Sequence, residues 1–199
     1  MAGRHREAAR TFVYIADDLA PLRDGHSAKH QTWNLTHAAT AFAAYGDTAH
    51  LVLLADTIEL AGAGSLFGRD HRLHHYVRGL LARSRNDPQT AEREFRLAVT
   101  SWNMGFTRIN YELAEVLLES DRPAEAVRAL QPAFRGSIES SNLYITRTEL
   151  HEALARAWDA AGNRDSARMH WRAVVEAWRG ADPQFQPRWQ AAVGALARR

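Results

Sequence analysis

Five times along the chain an apolar residue is followed by a second one four positions later and a third after three more. The sets are Ala8, Phe12 and Ile15; Leu51, Ala55 and Ile58; Ala91, Phe95 and Ala98; Ala126, Leu130 and Ala133; and Ala167, Trp171 and Val174. That spacing puts each set on one face of an α-helix. Four of the five follow a preceding helical segment with its own small residue: Ala39 beside Ala38 and Phe42, then Gly79, then Ala114 between Leu113 and Leu117, then Ala155 beside Leu154 and Trp158. A small residue on each helix lets two backbones cross closely, and the larger residues fill the space around the crossing. One such pair of helices cannot bury its own apolar faces, so copies must stack on one another.

The rest of the sequence agrees with an all-α fold. Ala, Leu, Arg and Glu dominate, apolar residues recur at three and four, and no run shows the alternation of a half-buried strand. Clusters of Gly, Pro, Asn, Asp and Ser at 21–25, 45–47, 62–70, 85–88, 105–106, 120–123, 136–137, 162–165 and 180–183 predict about nine helices joined by short loops. Four breaks look alike, at 46–51, 85–91, 120–126 and 162–167. In the last, Gly162 ends one helix and Asp165 is the expected N-cap of the next; in the third, Pro123 opens the helix.

These helix pairs resemble the tetratricopeptide repeat family, whose pattern places a Gly or Ala in the first helix and A-x3-F in the second. Gly79, Ala91, Phe95 and Ala98 form the clearest copy. The resemblance implies a right-handed superhelical solenoid of antiparallel helix hairpins, a single domain over 1–199. It would comprise a half repeat at 4–20, hairpins at 29–62, 71–100, 107–134 and 144–180, and a capping helix at 186–199 with Trp189, Val193 and Leu196 on its buried stripe. The second-helix positions 8, 51, 91, 126 and 167 are spaced by 43, 40, 35 and 41 residues, longer than the family's period of about 34. The position four before the first-helix small residue, aromatic in the family, holds Leu35, His75, Asn110 and His151. The unpaired half repeat at the front leads to the expectation that the chain is the later part of a longer array. More loosely, it resembles the C-terminal repeat regions of large multidomain bacterial regulators.

Composition excludes several chemistries. There is no cysteine, so disulfides, thiolate metal sites and cysteine nucleophiles are ruled out. The formal charge is only +2, which leaves no nucleic-acid footprint. The N-terminal segment has no apolar signal-type core, and the densest apolar run, 51–55, is too short to span a bilayer. The expectation is a cytoplasmic protein with no membrane or direct nucleic-acid contact.

The densest cluster of chemistry-bearing residues is HRLHHYVRG at 71–79. His71 and His75 stand four apart, and with Asp70 nearby they are the candidates for a metal site. Against that stand the lack of a third helix-spaced ligand and a repeat register that turns His75 toward the core, where it would donate to a backbone carbonyl. The pair His26 and His30, with His37 beyond, reads as a solvated face. The sequence HEALA at 151–155 lacks the second His of a zincin. Gly62, Gly64 and Gly68 follow a helix and precede no Lys-Ser or Lys-Thr, so they form a helix cap and link, not a phosphate loop. Arg69, Arg72, Arg78, Arg83 and Arg85 face an acidic set, Glu112, Glu115, Glu119 and Asp121, either as mutually attracting solvated faces or as a groove with a charge gradient.

No catalytic constellation is present, so no enzyme activity and no cofactor are expected. The family resemblance implies that first helices line a concave groove, which in this chain would present Thr36, Thr40, Tyr76, Arg83, Arg108, Tyr111, Glu115, Glu152 and Arg156. The expected function is that of an interaction scaffold for a peptide or protein segment, within a larger regulator. The rivals are a His-based metal- or ligand-sensing domain and a structural spacer.

Overall fold

The computed structural model describes residues 2–98, 107–135 and 145–198. These carry ten α-helices and no strand: α1 (Ala2–Leu19), α2 (Gly25–Ala44), α3 (Thr48–Ala63), α4 (Leu73–Ser84), α5 (Pro88–Ala98), α6 (Thr107–Glu119), α7 (Pro123–Leu130), α8 (Arg147–Ala160), α9 (Arg164–Trp178) and α10 (Gln186–Ala197). The protein is therefore all-α among its described residues. The expected breaks at 105–106 and 136–137 lie outside them. None of the described helices is long and apolar enough to cross a membrane.

The four similar breaks in the sequence become four turns of one geometry. Gly46, Asn86, Asp121 and Gly162 all take a left-handed backbone, with φ of 82°, 57°, 55° and 76°. In each turn the next residue's N–H reaches back five residues: Asp47 to Phe42 O, Asp87 to Ala82 O, Arg122 to Leu117 O and Asn163 to Trp158 O, at 2.9–3.0 Å. The left-handed residue bonds three back, to Ala43, Arg83, Leu118 and Asp159. This is the Schellman turn, which satisfies the last carbonyls of a helix and favours Gly or Asn at the left-handed position. Each of these residues lies seven after a first-helix small residue (39, 79, 114, 155) and five before a second-helix one (51, 91, 126, 167). The longer spacings between copies thus fall outside the paired helices.

The second helix of each pair starts straight after its turn. Asp47 accepts from His50 N, Asp87 from Thr90 N and Asn163 from Ser166 N. The cap of α9 is thus Asn163, not Asp165. The left-handed turn at Gly162 leaves Asn163 with the extended backbone a cap requires, and Asp165 falls in the first helical turn, where the helix dipole favours an acid. Pro123 opens α7 as expected.

The chain divides into two compact units, residues 1–100 and 101–199. In the first, α2 packs on α1 and α3, and α4 packs on α3 and α5. Gly79 faces the Phe95 ring so closely that a β-carbon there would lie 2.5 Å from ring carbons, which is the close crossing the sequence predicts. Asp70 is fully buried and accepts from Trp33 Nε1 (3.1 Å) and Ser65 Oγ (2.6 Å), tying the link after α3 to α2. In the second unit α6 packs on α7, α7 on α8, α8 on α9, and α9 on α10. Trp171, Val174 and Trp178 meet Ala192 and Ala195, with Trp189 and Leu196 alongside. Val193, expected on that stripe, is 39% exposed. Trp189, Ala192 and Leu196 follow the helical step of three and four, and Val193 sits about 100° round from Ala192.

Candidate functional site

The nine residues expected to line a groove divide sharply. In the first unit Thr36 and Tyr76 are fully buried, so they present nothing to a partner. Thr32, Thr36 and Thr40 each turn a hydroxyl back onto the carbonyl four residues before, as helix threonines do in apolar surroundings. Thr40 Oγ1 meets the Tyr76 hydroxyl at 3.1 Å, and the Tyr76 ring tilts against Phe95. A phenol in a core needs one polar partner, and Thr40 supplies it. Tyr76 is therefore a packing residue. Thr40 and Arg83 are half-buried.

In the second unit the other five come together. Arg108, Tyr111 and Glu115 follow one another along α6, and Glu152 and Arg156 along α8. The Arg156 guanidinium grips both Glu115 oxygens, one at 3.2 Å. Arg108 lies 3.8 Å from Glu112 and stacks over the Tyr111 ring. Arg188, on α10, binds Glu152 through Nε at 3.0 and 3.2 Å as well as through Nη2, reaches Glu149 at 3.3 Å, and lies over the Trp178 ring at 4.5 Å. Three helices are thus joined by alternating arginines and carboxylates.

The electrostatics follow from that alternation. Burial, reinforced by the Glu115 charge, pushes the Tyr111 phenol up to about 12, so it stays a neutral hydroxyl. For Arg156 and Arg188, burial disfavours the charge, but hydrogen bonds and charges from Glu115 and Glu152 outweigh it and hold both above the ordinary arginine value. Burial raises Glu149, yet the two Thr146 hydrogen bonds, with Arg108 and Arg188, bring it below the usual carboxylate range. The carboxylates lie deep, with Glu112, Glu115, Glu149 and Glu152 side chains 10–23% exposed, whereas those of Arg108, Arg156 and Arg188 are 25–39% exposed. The Arg156 and Arg188 side chains are thus more exposed than the carboxylates that hold them.

Glu149 and Arg188 were missed in the sequence, and Glu112 entered it only as a member of the acidic set. Glu149 closes a capping box with Thr146, a pattern legible as T-x-x-E. Arg188 carries no such signal, because its role depends on α10 lying beside α8.

The His71 cluster separates into unrelated contacts. His71 is exposed in a turn of 3-10 helix at Asp70–Arg72, so it is not on a regular helical face with His75. His74, not His75, donates to a backbone carbonyl, that of His71, at 2.7 Å. His75 Nδ1 meets Glu94 at 2.8 Å. Among the described residues, no three His, Asp or Glu side chains gather as a metal site would require. His37, expected on a solvated face, is half-buried beside Phe12 and Trp33, and burial lowers its proton affinity.

A second feature appears when the helix pairs are aligned. The first-helix position that differs from the family pairs, nineteen residues on, with the residue before the large second-helix side chain. These are His75 with Glu94; Asn110, whose amide donates to Ala129 O at 2.8 Å; and His151 with His170, Nδ1 to Nδ1 at 2.8 Å; the aligned positions in α2 and α3, before Ala55, hold two buried leucines, Leu35 and Leu54. One position carries four chemistries. No family model, curated protein or solved structure matches the chain.

Proposed function

We propose that this chain is a tetratricopeptide-like solenoid of helix hairpins that serves as a protein-interaction scaffold and performs no catalysis of its own. The four turns of one geometry at one register support the repeat reading. The interaction reading rests on the α6–α8–α10 face. Arg156 and Arg188 are held there by Glu115 and Glu152, with Arg108 over the Tyr111 ring beside them, so the face carries guanidinium groups in fixed places. Arginine and tyrosine held this way lose little freedom on binding and are favoured at interface hot spots. The partner suited to them is a peptide segment offering carboxylate and backbone carbonyl oxygens. The place of such a scaffold is in a larger regulator, as its interaction part.

The test is selection of peptides from a random display library on the intact protein, followed by calorimetry. Selected peptides should be rich in Asp and Glu. Arg108→Glu should weaken them at least about tenfold, or roughly 1.4 kcal/mol, without changing the thermal midpoint by more than a few degrees. Binders indifferent to Arg108→Glu, or no binders at all, would count against the reading.

A further inference from the structure

The His151–His170 contact joins α8 to α9 at the position where the first unit places His75 on Glu94. A hydrogen bond between two Nδ1 atoms requires one to carry a proton and the other a lone pair. With both rings neutral, this holds if one ring is the Nδ1–H tautomer and the other the Nε2–H tautomer. A first added proton goes to Nε2 of the donor ring and leaves the Nδ1–H to Nδ1 bond in place, though burial disfavours the charge. A second must go to the accepting Nδ1. Two N–H groups would then face each other at 2.8 Å, on two positive rings.

We propose that His151 and His170 form a one-proton latch between α8 and α9 that lets go when acid supplies the pair with a second proton. Among the described residues, no carboxylate acts on either ring. The Phe134 ring centroid lies 4.8 Å from that of His151, in a T-shaped arrangement, and 6.2 Å from that of His170. One turn before and after each histidine on its own helix stand Arg147, Thr148, Leu154 and Ala155, and Ser166, Ala167, Ala173 and Val174. Arg147 is the sole charge among them and is itself positive. Neighbouring α7 carries Glu125 and Arg128, and the 3-10 turn Gln131–Arg135 that also packs on α8 carries Arg135. Burial and then Arg147 lower His151; burial and then His151 lower His170. His75 differs, because Glu94 accepts from it whether its ring is neutral or charged.

The sign follows. Both folded-state values lie below the ordinary 6.5, so below that pH the unfolded chain binds more protons than the folded one. The latch stabilises fully above 6.5, and its contribution is lost as pH falls from there through the folded-state values. The ratio of folded to unfolded protein then drops by up to about tenfold per pH unit for each excess proton. Because α8 also carries Glu152 and Arg156, release would disturb the proposed contact face; that consequence rests on the scaffold reading, and the latch does not.

Two measurements on the intact protein test it. Imidazole nitrogen NMR at pH 8 should show one ring of the pair as Nδ1–H and the other as Nε2–H. Thermal midpoints from pH 8 to 5 should fall more steeply for the wild type than for the double variant His151→Leu with His170→Leu, which copies Leu35 and Leu54. His37 and His74 are also lowered by burial and give both proteins a common slope, so the difference is what counts. Should the double variant fail to fold, His170→Glu, which copies His75–Glu94, carries the same comparison and should flatten the profile. Two Nε2–H rings at pH 8, or equal slopes in wild type and variant, would overturn the latch.

Discussion

The α4–α5 and α8–α9 pairs share one backbone plan and differ in what they place across it. In both, a small residue (Gly79 or Ala155) stands opposite a large ring (Phe95 or Trp171), and a left-handed residue follows seven positions later. In both, a histidine four before the small residue reaches the residue preceding the ring. In α4–α5 that partner is Glu94; in α8–α9 it is His170. The pairing geometry is thus set by the small residues and the turn. The contact beside them is free to be a carboxylate bond, a shared proton, an amide on a carbonyl, or two leucines. The position is half-buried in the two histidine pairs and buried where it holds Leu35 or Asn110, so the side chain placed there follows the burial of each copy.

The largest effects should come from the crossing itself. Phe95→Ala and Trp171→Ala each remove a ring that is at most 6% exposed, and each should cost about 3–5 kcal/mol in urea unfolding. Trp171→Ala also removes the hydrogen bond that Asp159 accepts from Trp171 Nε1 at 2.7 Å, a small further loss because water can replace it at the exposed Asp159. Gly79→Ala should follow, at about 1–3 kcal/mol, because a β-carbon 2.5 Å from the Phe95 ring forces the helices apart. The reverse change, Ala155→Gly, should cost only about 1 kcal/mol through helix propensity. Similar losses for these two would mean that the pairs do not share a crossing. Asn163→Ala should cost about 1 kcal/mol by removing the bond to Ser166 N, whereas Asp165→Ala should cost a few tenths. The smallest effect sharpens the contrast most: Glu94→His should leave stability near pH 8 almost unchanged and make α4–α5 acid-sensitive, which native-state hydrogen exchange of its amides would report.

Much of this was legible in the sequence. The helical class, the turn positions and four of the five second-helix triads follow from apolar spacing and from Gly, Asn, Asp and Pro, which act locally; in α1 the expected set is corrected, since Ala9 and Ala16 are the buried small residues and Ile15 is exposed. Residues whose surroundings come from elsewhere in the chain were harder to read. Thr36 and Tyr76 share a helical face with groove positions in the family pattern, but in the first unit neighbouring helices cover them. Val193 was chosen for its apolar side chain, while the smaller Ala192 fits the tight space against Trp171 and Trp178. Arg188 and the His151–His170 contact depend on pairing between separate helices. The second becomes visible only once the nineteen-residue offset is known, which the first unit supplies through His75 and Glu94.

The claim that matters most for function is that the α6–α8–α10 face is the contact surface. Hydrogen–deuterium exchange of the intact protein, with and without a peptide selected on it, tests this directly. The account predicts slowed exchange in Thr107–Glu119, Arg147–Ala160 and Gln186–Ala197, lost with Arg108→Glu. Slowed exchange confined to α1–α5, or peptide binding that leaves α6, α8 and α10 unchanged, would contradict it.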